Sequence, residues 1–157
     1  MNLIDFLSPE AISIQLTADN AEDVIVLLGN RLYDLGYVKD DFVEATLARE
    51  AEMPTGLPLA GDINAAIPHV DIEYVNRPAL ALATLTHPVI FHNMVDSDED
   101  VPVRLVIMLA LDQPKSQIEM LQQVAGVLQN PKIVNRLMAA EDVDEVLVAL
   151  TRESVEV

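Results

Sequence analysis

Two nearly unbroken apolar runs, PALALATL at residues 78–85 and VRLVIMLAL at 103–111, constrain this chain more than any other feature. A strand with one face in water alternates apolar and polar side chains; these runs do not, so both of their faces must be covered. Helical periodicity lies on either side of them in the chain. The pattern therefore predicts one α/β domain over residues 1–157, with a central sheet flanked by helices on both faces.

The helices have readable ends. LTADNAEDVIVLLGNRLYDLGYV carries Asp19 and Glu22 in capping-box spacing, apolar residues at Val24, Leu28, Leu32 and Leu35, and Gly36 as a stop. A second helix is expected from about Asp40 to Glu52, acidic at its start and ended by Pro54. PVIF, after the first apolar run, reads as a further short strand, and NAAI, before Pro68, as a short extended piece. From Ser116 a helical stripe returns through Ile118, Leu121, Ala125 and Leu128; Pro131 restarts the chain into KIVNRLMAA, and DVDEVLVALTRE closes it as an amphipathic helix.

Composition narrows the function. Hydrophobic residues make up 51% and aromatics 4%, so the core is built from Leu, Val, Ile, Ala and Met. Nine Lys plus Arg against 26 Asp plus Glu give a formal charge of -17, which repels nucleic-acid phosphates and anionic lipid. There is no cysteine, which removes disulfides, thiolate metal sites and Cys nucleophiles together. MNLIDFLSPEAISIQL lacks a basic leader and a small-residue cleavage site, and no apolar run approaches the roughly 18 residues of a membrane span. A cytoplasmic protein without membrane insertion is expected.

The chemistry concentrates in MPTGLPLAGDINAAIPHVD, residues 53–71, where three prolines and two glycines precede His69. Pro68 holds Ile67 extended, so a short strand should end there and present His69 at its carboxyl edge, where open α/β sheets place ligands. Gly56 and Gly61 allow positive φ values and a close backbone approach, and Thr55 offers a hydroxyl. Arg49 lies four residues after Ala45 and seven after Phe42, at the edge of the buried face of its helix. It can point toward the loop or simply settle the helix C-terminus; spacing leaves both open. A His and an Arg beside a Gly-rich turn suit phosphoryl transfer, in which neutral imidazole attacks and guanidinium offsets charge on the equatorial oxygens. That scheme needs no metal or cofactor.

LARE, then PTGL, then AAIPH resembles the signature of the enzyme IIA domains of the fructose and mannitol class of the bacterial sugar phosphotransferase system. VPVRLVIMLALDQPKSQIEMLQQVAGVLQNPKIVNRL is similar to the same family, in particular to its galactitol-type branch, and the likeness runs from about Leu3 to Arg152. The resemblance implies a mixed central sheet and a phosphohistidine intermediate. It implies that His69 accepts phosphate from the histidine-containing phosphocarrier protein and passes it to a cysteine of a IIB component, through which the protein associates with a membrane permease. Arg49 matches the arginine of the family's active site, and Thr55 and Gly56 its phosphoryl-approaching loop. Val70 and Asp71 stand where many relatives continue with Gly, and Pro58, Leu59 and Ala60 where a shorter turn is common. Gln117 replaces the second active-site histidine of the mannitol and fructose members, at the start of a late helix. It is read either as an amide donor to phosphate or as an ordinary first-turn residue. A regulatory module that reports phosphorylation state without feeding a permease is the alternative function.

Other candidates have plainer readings. His87 and His92, five apart, share no face of a helix or strand and make no metal clamp. Asp96, Asp98 and Asp100 begin like a calcium loop, but Val101 and Ile107 stand where Gly and Glu belong, so the segment reads as a solvated acidic turn. Met94, Met108, Met120 and Met138 read as core filler. Leu57, Leu59 and Ile63 are the expected apolar rim for partner docking.

Overall fold

The computed structural model describes residues 2–155; Met1 and residues 156–157 of the expected domain lie outside them. In chain order the elements are α1 (Leu3–Phe6), β1 (Leu7–Leu16), α2 (Ala21–Asp34), α3 (Phe42–Glu52), β2 (Gly56–Leu57), β3 (Ala65–Ala66), β4 (Ala79–His92), β5 (Asp100–Ala110), α4 (Pro114–Leu128), α5 (Pro131–Ala139) and α6 (Val143–Val155). A 3-10 turn, Ile72–Tyr74, precedes β4. The sheet is mixed, in the order β1-β4-β5-β3-β2. β1 runs parallel to β4 and β3 parallel to β5, while β4 with β5 and β2 with β3 are antiparallel.

The two apolar runs occupy the middle of this sheet, and their pleat sorts them onto two cores. Ala79, Ala81 and Ala83 of β4 and Val106, Met108 and Ala110 of β5 face Val24, Ile25, Leu28, Leu32 and Phe42 of α2 and α3. Leu80 and Leu82 with Leu105, Ile107 and Leu109 face Met120, Val124 and Leu128 of α4 and the apolar stripes of α5 and α6. Each of these large side chains is at most 1% exposed on the strands, a burial that stabilises by about 1.5–3 kcal/mol apiece. The alternation of Ala and Leu in β4 thus gives one face small residues and the other large ones.

Helix ends follow the sequence with small displacements. The cap of α2 is Asn20, whose side chain accepts from the Asp23 N–H at 2.8 Å, one residue later than the expected Asp19. Asp23 in turn accepts from the Asp19 N–H at 3.3 Å. Gly36, at φ 85°, ends the helix in a Schellman turn, with Tyr37 N–H bonded to Leu32 O and Gly36 N–H to Tyr33 O. α4 begins two residues before the expected Ser116, because Pro114 is well placed in a first helical turn, where no N–H is needed.

Two strand features differ from the sequence reading. The runs at 78–85 and 88–91 form one long strand whose register with β5 shifts between Thr84 and Val89. The Arg104 guanidinium covers the carbonyls of Leu85 and Thr86 at that irregularity, at 3.1 and 3.4 Å. β1 has no counterpart in the expectations, since SPEAISIQL mixes a proline and a charge into a weak alternation. It is an edge strand, where such residues are tolerated. No helix among the described residues is long and apolar enough to cross a membrane.

Candidate active site

β3 delivers His69. Ala65 and Ala66 pair with Leu105 and Val106, and three residues on His69 bridges to Leu109, so the chain follows β5 in constant register past the end of the strand. Pro68 donates nothing, but its carbonyl accepts from Leu109 N–H at 3.0 Å. Ala65 and Ile67 belong to the core on the α4 side, and His69, of the same parity, meets α4 across a cleft. The expected presentation at the strand's carboxyl edge holds. His69 is 6% accessible, so its ring is reached through the cleft rather than from open surface.

That cleft, of about 730 Å³, gathers Arg49, Glu52 and Met53 from α3 and its end, Thr55 and Leu57 from β2 and its approach, and Met94, Val95 and Ser97 from the β4–β5 hairpin. Leu121, Gln122 and Ala125 of α4 close the far wall. The imidazole Nδ1 lies 2.8 Å from the Ile67 carbonyl oxygen. A carbonyl only accepts, so Nδ1 carries the ring proton and Nε2 keeps its lone pair. Burial lowers the His69 pKa below its ordinary 6.5; the Ile67 carbonyl raises it, the Arg49 charge lowers it further and Asp71 raises it. The net direction is downward, which keeps the ring neutral and nucleophilic near pH 7.

Arg49 and His69 therefore share one cleft, as the spacing argument allowed. The Arg49 Nη1 donates to Sδ of Met53 at 3.4 Å, and among the described residues no carboxylate lies within 4.0 Å of its guanidinium nitrogens. A cation with only a thioether partner is free to engage an incoming anion.

Thr55 lines the cleft, but its polar atoms are already engaged. Its N–H and hydroxyl donate to the two carboxylate oxygens of Glu50, at 2.7 and 2.8 Å. The hydroxyl proton is thus not offered to a phosphoryl group. Glu50, the last residue of the LARE motif, was not read as a site residue, because nothing in the spacing shows that it meets Thr55 across Pro54. Burial pushes its carboxyl pKa up, while the two Thr55 bonds and the charges of Arg49 and His92 pull it down.

The two glycines differ from each other, and only the close approach at Gly56 agrees with the sequence reading. Neither Gly56 nor Gly61 has a positive φ. Gly56 is needed for close approach, since a Cβ there would sit 2.5 Å from the His92 carbonyl oxygen. Gly61 faces open space. Gln117, in the first turn of α4, is half-buried and does not line the cleft; Gln122 supplies the amide on that wall. Leu57 lines the cleft, whereas Leu59 and Ile63 pack beside Leu128, Pro131 and Val134 in a separate depression. Met108 and Met120 are fully buried, but Met94 is 41% exposed on the cleft rim, where the sequence reading had it as filler.

His92 pairs with its cross-strand neighbour Asp100, Nδ1 to Oδ1 3.3 Å, on the surface. The acidic turn is held by Asp96, which accepts from the Asp98 and Glu99 N–H groups.

Residues 5–153 match the family model for the EIIA 2 component of the phosphoenolpyruvate-dependent sugar phosphotransferase system. The galactitol-specific EIIA component of Escherichia coli K12 is 38% identical over 116 residues, 74% of this chain and 76% of that protein. The crystal structure of mannitol IIA from Escherichia coli superposes with a TM-score of 0.75 at 29% identity, covering 92% of this chain and 98% of that one. The mannitol IIA in complex with phosphorylated mannitol IIB, also from Escherichia coli, gives 0.75 at 28% identity over 93% and 97%. Both the sequence match across nearly the whole chain and the shared sheet place this protein in the EIIA type 2 family of the sugar phosphotransferase system.

Proposed function

We propose that the chain is a single phosphoryl-carrying domain, cytoplasmic, in which Nε2 of His69 accepts phosphate from the histidine-containing phosphocarrier protein and passes it to the cysteine of a galactitol-type IIB component. The observation that carries this reading is the Nδ1–Ile67 carbonyl bond, which leaves Nε2 as the only nucleophilic nitrogen in a cleft shared with Arg49.

In the first step the Nε2 lone pair attacks phosphorus, the Nε2–P bond forms, and the bond from phosphorus to the donor's imidazole nitrogen breaks, returning that electron pair to the donor ring. The ring proton stays on Nδ1, and the Ile67 carbonyl steadies the partial positive charge the ring develops. Arg49 offsets the charge of the equatorial oxygens. In the second step a thiolate of the acceptor attacks, an S–P bond forms, and Nε2 recovers its pair. Met53, Leu57, Met94 and Val95 supply an apolar rim on which the two partners can dock in turn. The 38% identity to a galactitol-specific relative supports that acceptor class.

Incubation with the general energy-coupling proteins and labelled phosphoenolpyruvate, followed by a chase with galactitol-type IIB, tests the reading. Wild type should take up label and lose it to IIB, and His69→Ala should take up none. Equal labelling of both would refute the assignment, and label that IIB cannot remove would favour the regulatory alternative.

A further inference from the structure

Residues 49 and 50 are neighbours on the last turns of α3, yet they serve different directions. Arg49 lines the cleft. Glu50 turns to the chain that returns past Pro54, where Thr55 meets both of its oxygens. From Thr55 the contacts continue toward the imidazole. The Thr55 carbonyl accepts from Ile67 N–H at 3.2 Å, and the Ile67 carbonyl accepts from His69 Nδ1 at 2.8 Å. Four residues are thus joined in series, from a carboxylate on α3 to the ring that the cleft exposes.

We propose that Glu50 is a positioning residue for phosphoryl transfer: by gripping Thr55 at N–H and hydroxyl it fixes Ile67, and through Ile67 the tautomer and angle of the His69 ring. The engagement has a second effect. A carboxylate with both oxygens occupied by Thr55 does not reach across to neutralise Arg49, which keeps its charge for the phosphoryl group. The inference rests on the phosphoryl-carrier reading for its effect on transfer, but the ring tautomer is a property of the unphosphorylated protein.

The experiment follows from that separation. Long-range proton–nitrogen spectra of ring-labelled His69, recorded where the ring is neutral, report the tautomer in wild type, Glu50→Gln, Glu50→Ala, Thr55→Val and Thr55→Ser. A glutamine can accept only one of the two Thr55 bonds, Val removes the hydroxyl bond alone, and Ser restores it. The expected result is an Nδ1–H ring in wild type and Thr55→Ser. A mixed population is expected in the other three, with transfer from the phosphorylated donor slowed about 10- to 100-fold in the same variants. Thr55→Val keeps the test decisive if Glu50→Ala does not fold. Retention of a pure Nδ1–H ring in Glu50→Gln and Thr55→Val, whatever happens to transfer, overturns the proposal. A tautomer change in those variants without phosphoryl uptake by wild type supports the proposal about the ring and overturns the carrier reading instead.

Discussion

Gly56 shows how tightly the site is tied to the sheet. A Cβ at this position would lie 2.5 Å from the His92 carbonyl oxygen, 3.1 Å from its carbon and 3.2 Å from Cβ of Phe91, against ordinary contact beginning at 3.4 Å. Two of these are backbone atoms, in a strand fixed by ten paired positions with β5, and cannot rotate away. Gly56→Ala therefore forces β2 and the end of β4 apart by roughly 0.9 Å, stretching the Met94 N–H bond to the Gly56 carbonyl, now 2.9 Å. Overpacking of this kind costs about 1–3 kcal/mol and a weakened hydrogen bond about 0.5–1.5 more. The sum, about 1.5–4.5 kcal/mol, lowers Tm by roughly 3–18 °C for a chain of this size. Thr55 is the preceding residue, so the displacement reaches Ile67 and the ring, and transfer should slow by about 100-fold. Urea unfolding and single-turnover transfer from the phosphorylated donor measure the two effects. Stability within 0.5 kcal/mol of wild type together with unchanged transfer would refute the reasoning.

Gly61→Ala provides the contrast: with nothing within 4 Å and no positive φ, it should be neutral or stabilise by up to about 1 kcal/mol in the same urea assay. Arg49→Met removes a charge that disfavours the imidazolium, so the His69 titration midpoint, followed by NMR, should rise and the acid limb of transfer should move to higher pH; Asp71→Asn should move both the opposite way. Val95→Asp, on the cleft rim and 90% exposed, should raise KM for the phosphorylated donor about 5- to 10-fold, whereas Val148→Asp, 55% exposed on α6, should leave it unchanged. Gln122→Ala should slow transfer more than Gln117→Ala, since only Gln122 lines the cleft; steady-state rates of the two variants decide it.

Much of this site was legible before any coordinates. Pro68 and the apolar run at 103–111 were enough to place His69 at a strand's end, because a proline restricts its predecessor and a fully apolar strand must be central. Helical spacing allowed Arg49 to face the loop but left the helix-end role equally open, and only the cleft decides between them. What escaped was set by contacts between segments far apart in the chain. The apolar pair Met94–Val95 could not be assigned to the cleft until the β4–β5 hairpin was seen folding beside it. Glu50 was hidden because its partner lies across a turn whose path no periodicity specifies. Gly56 and Gly61 look alike in sequence, and only the nearness of the His92 carbonyl separates them. Leu59 and Ile63 were assigned by proximity to His69 in sequence, but the β2–β3 hairpin carries them to the α4–α5 junction.

The most direct test of the mechanism is to identify the atom that carries phosphate. Phosphorylated, ring-labelled protein examined by phosphorus–nitrogen coupling should show the phosphoryl group on Nε2 of His69, with the proton still on Nδ1. Phosphate on Nδ1, or on any other side chain, would contradict the account at its root.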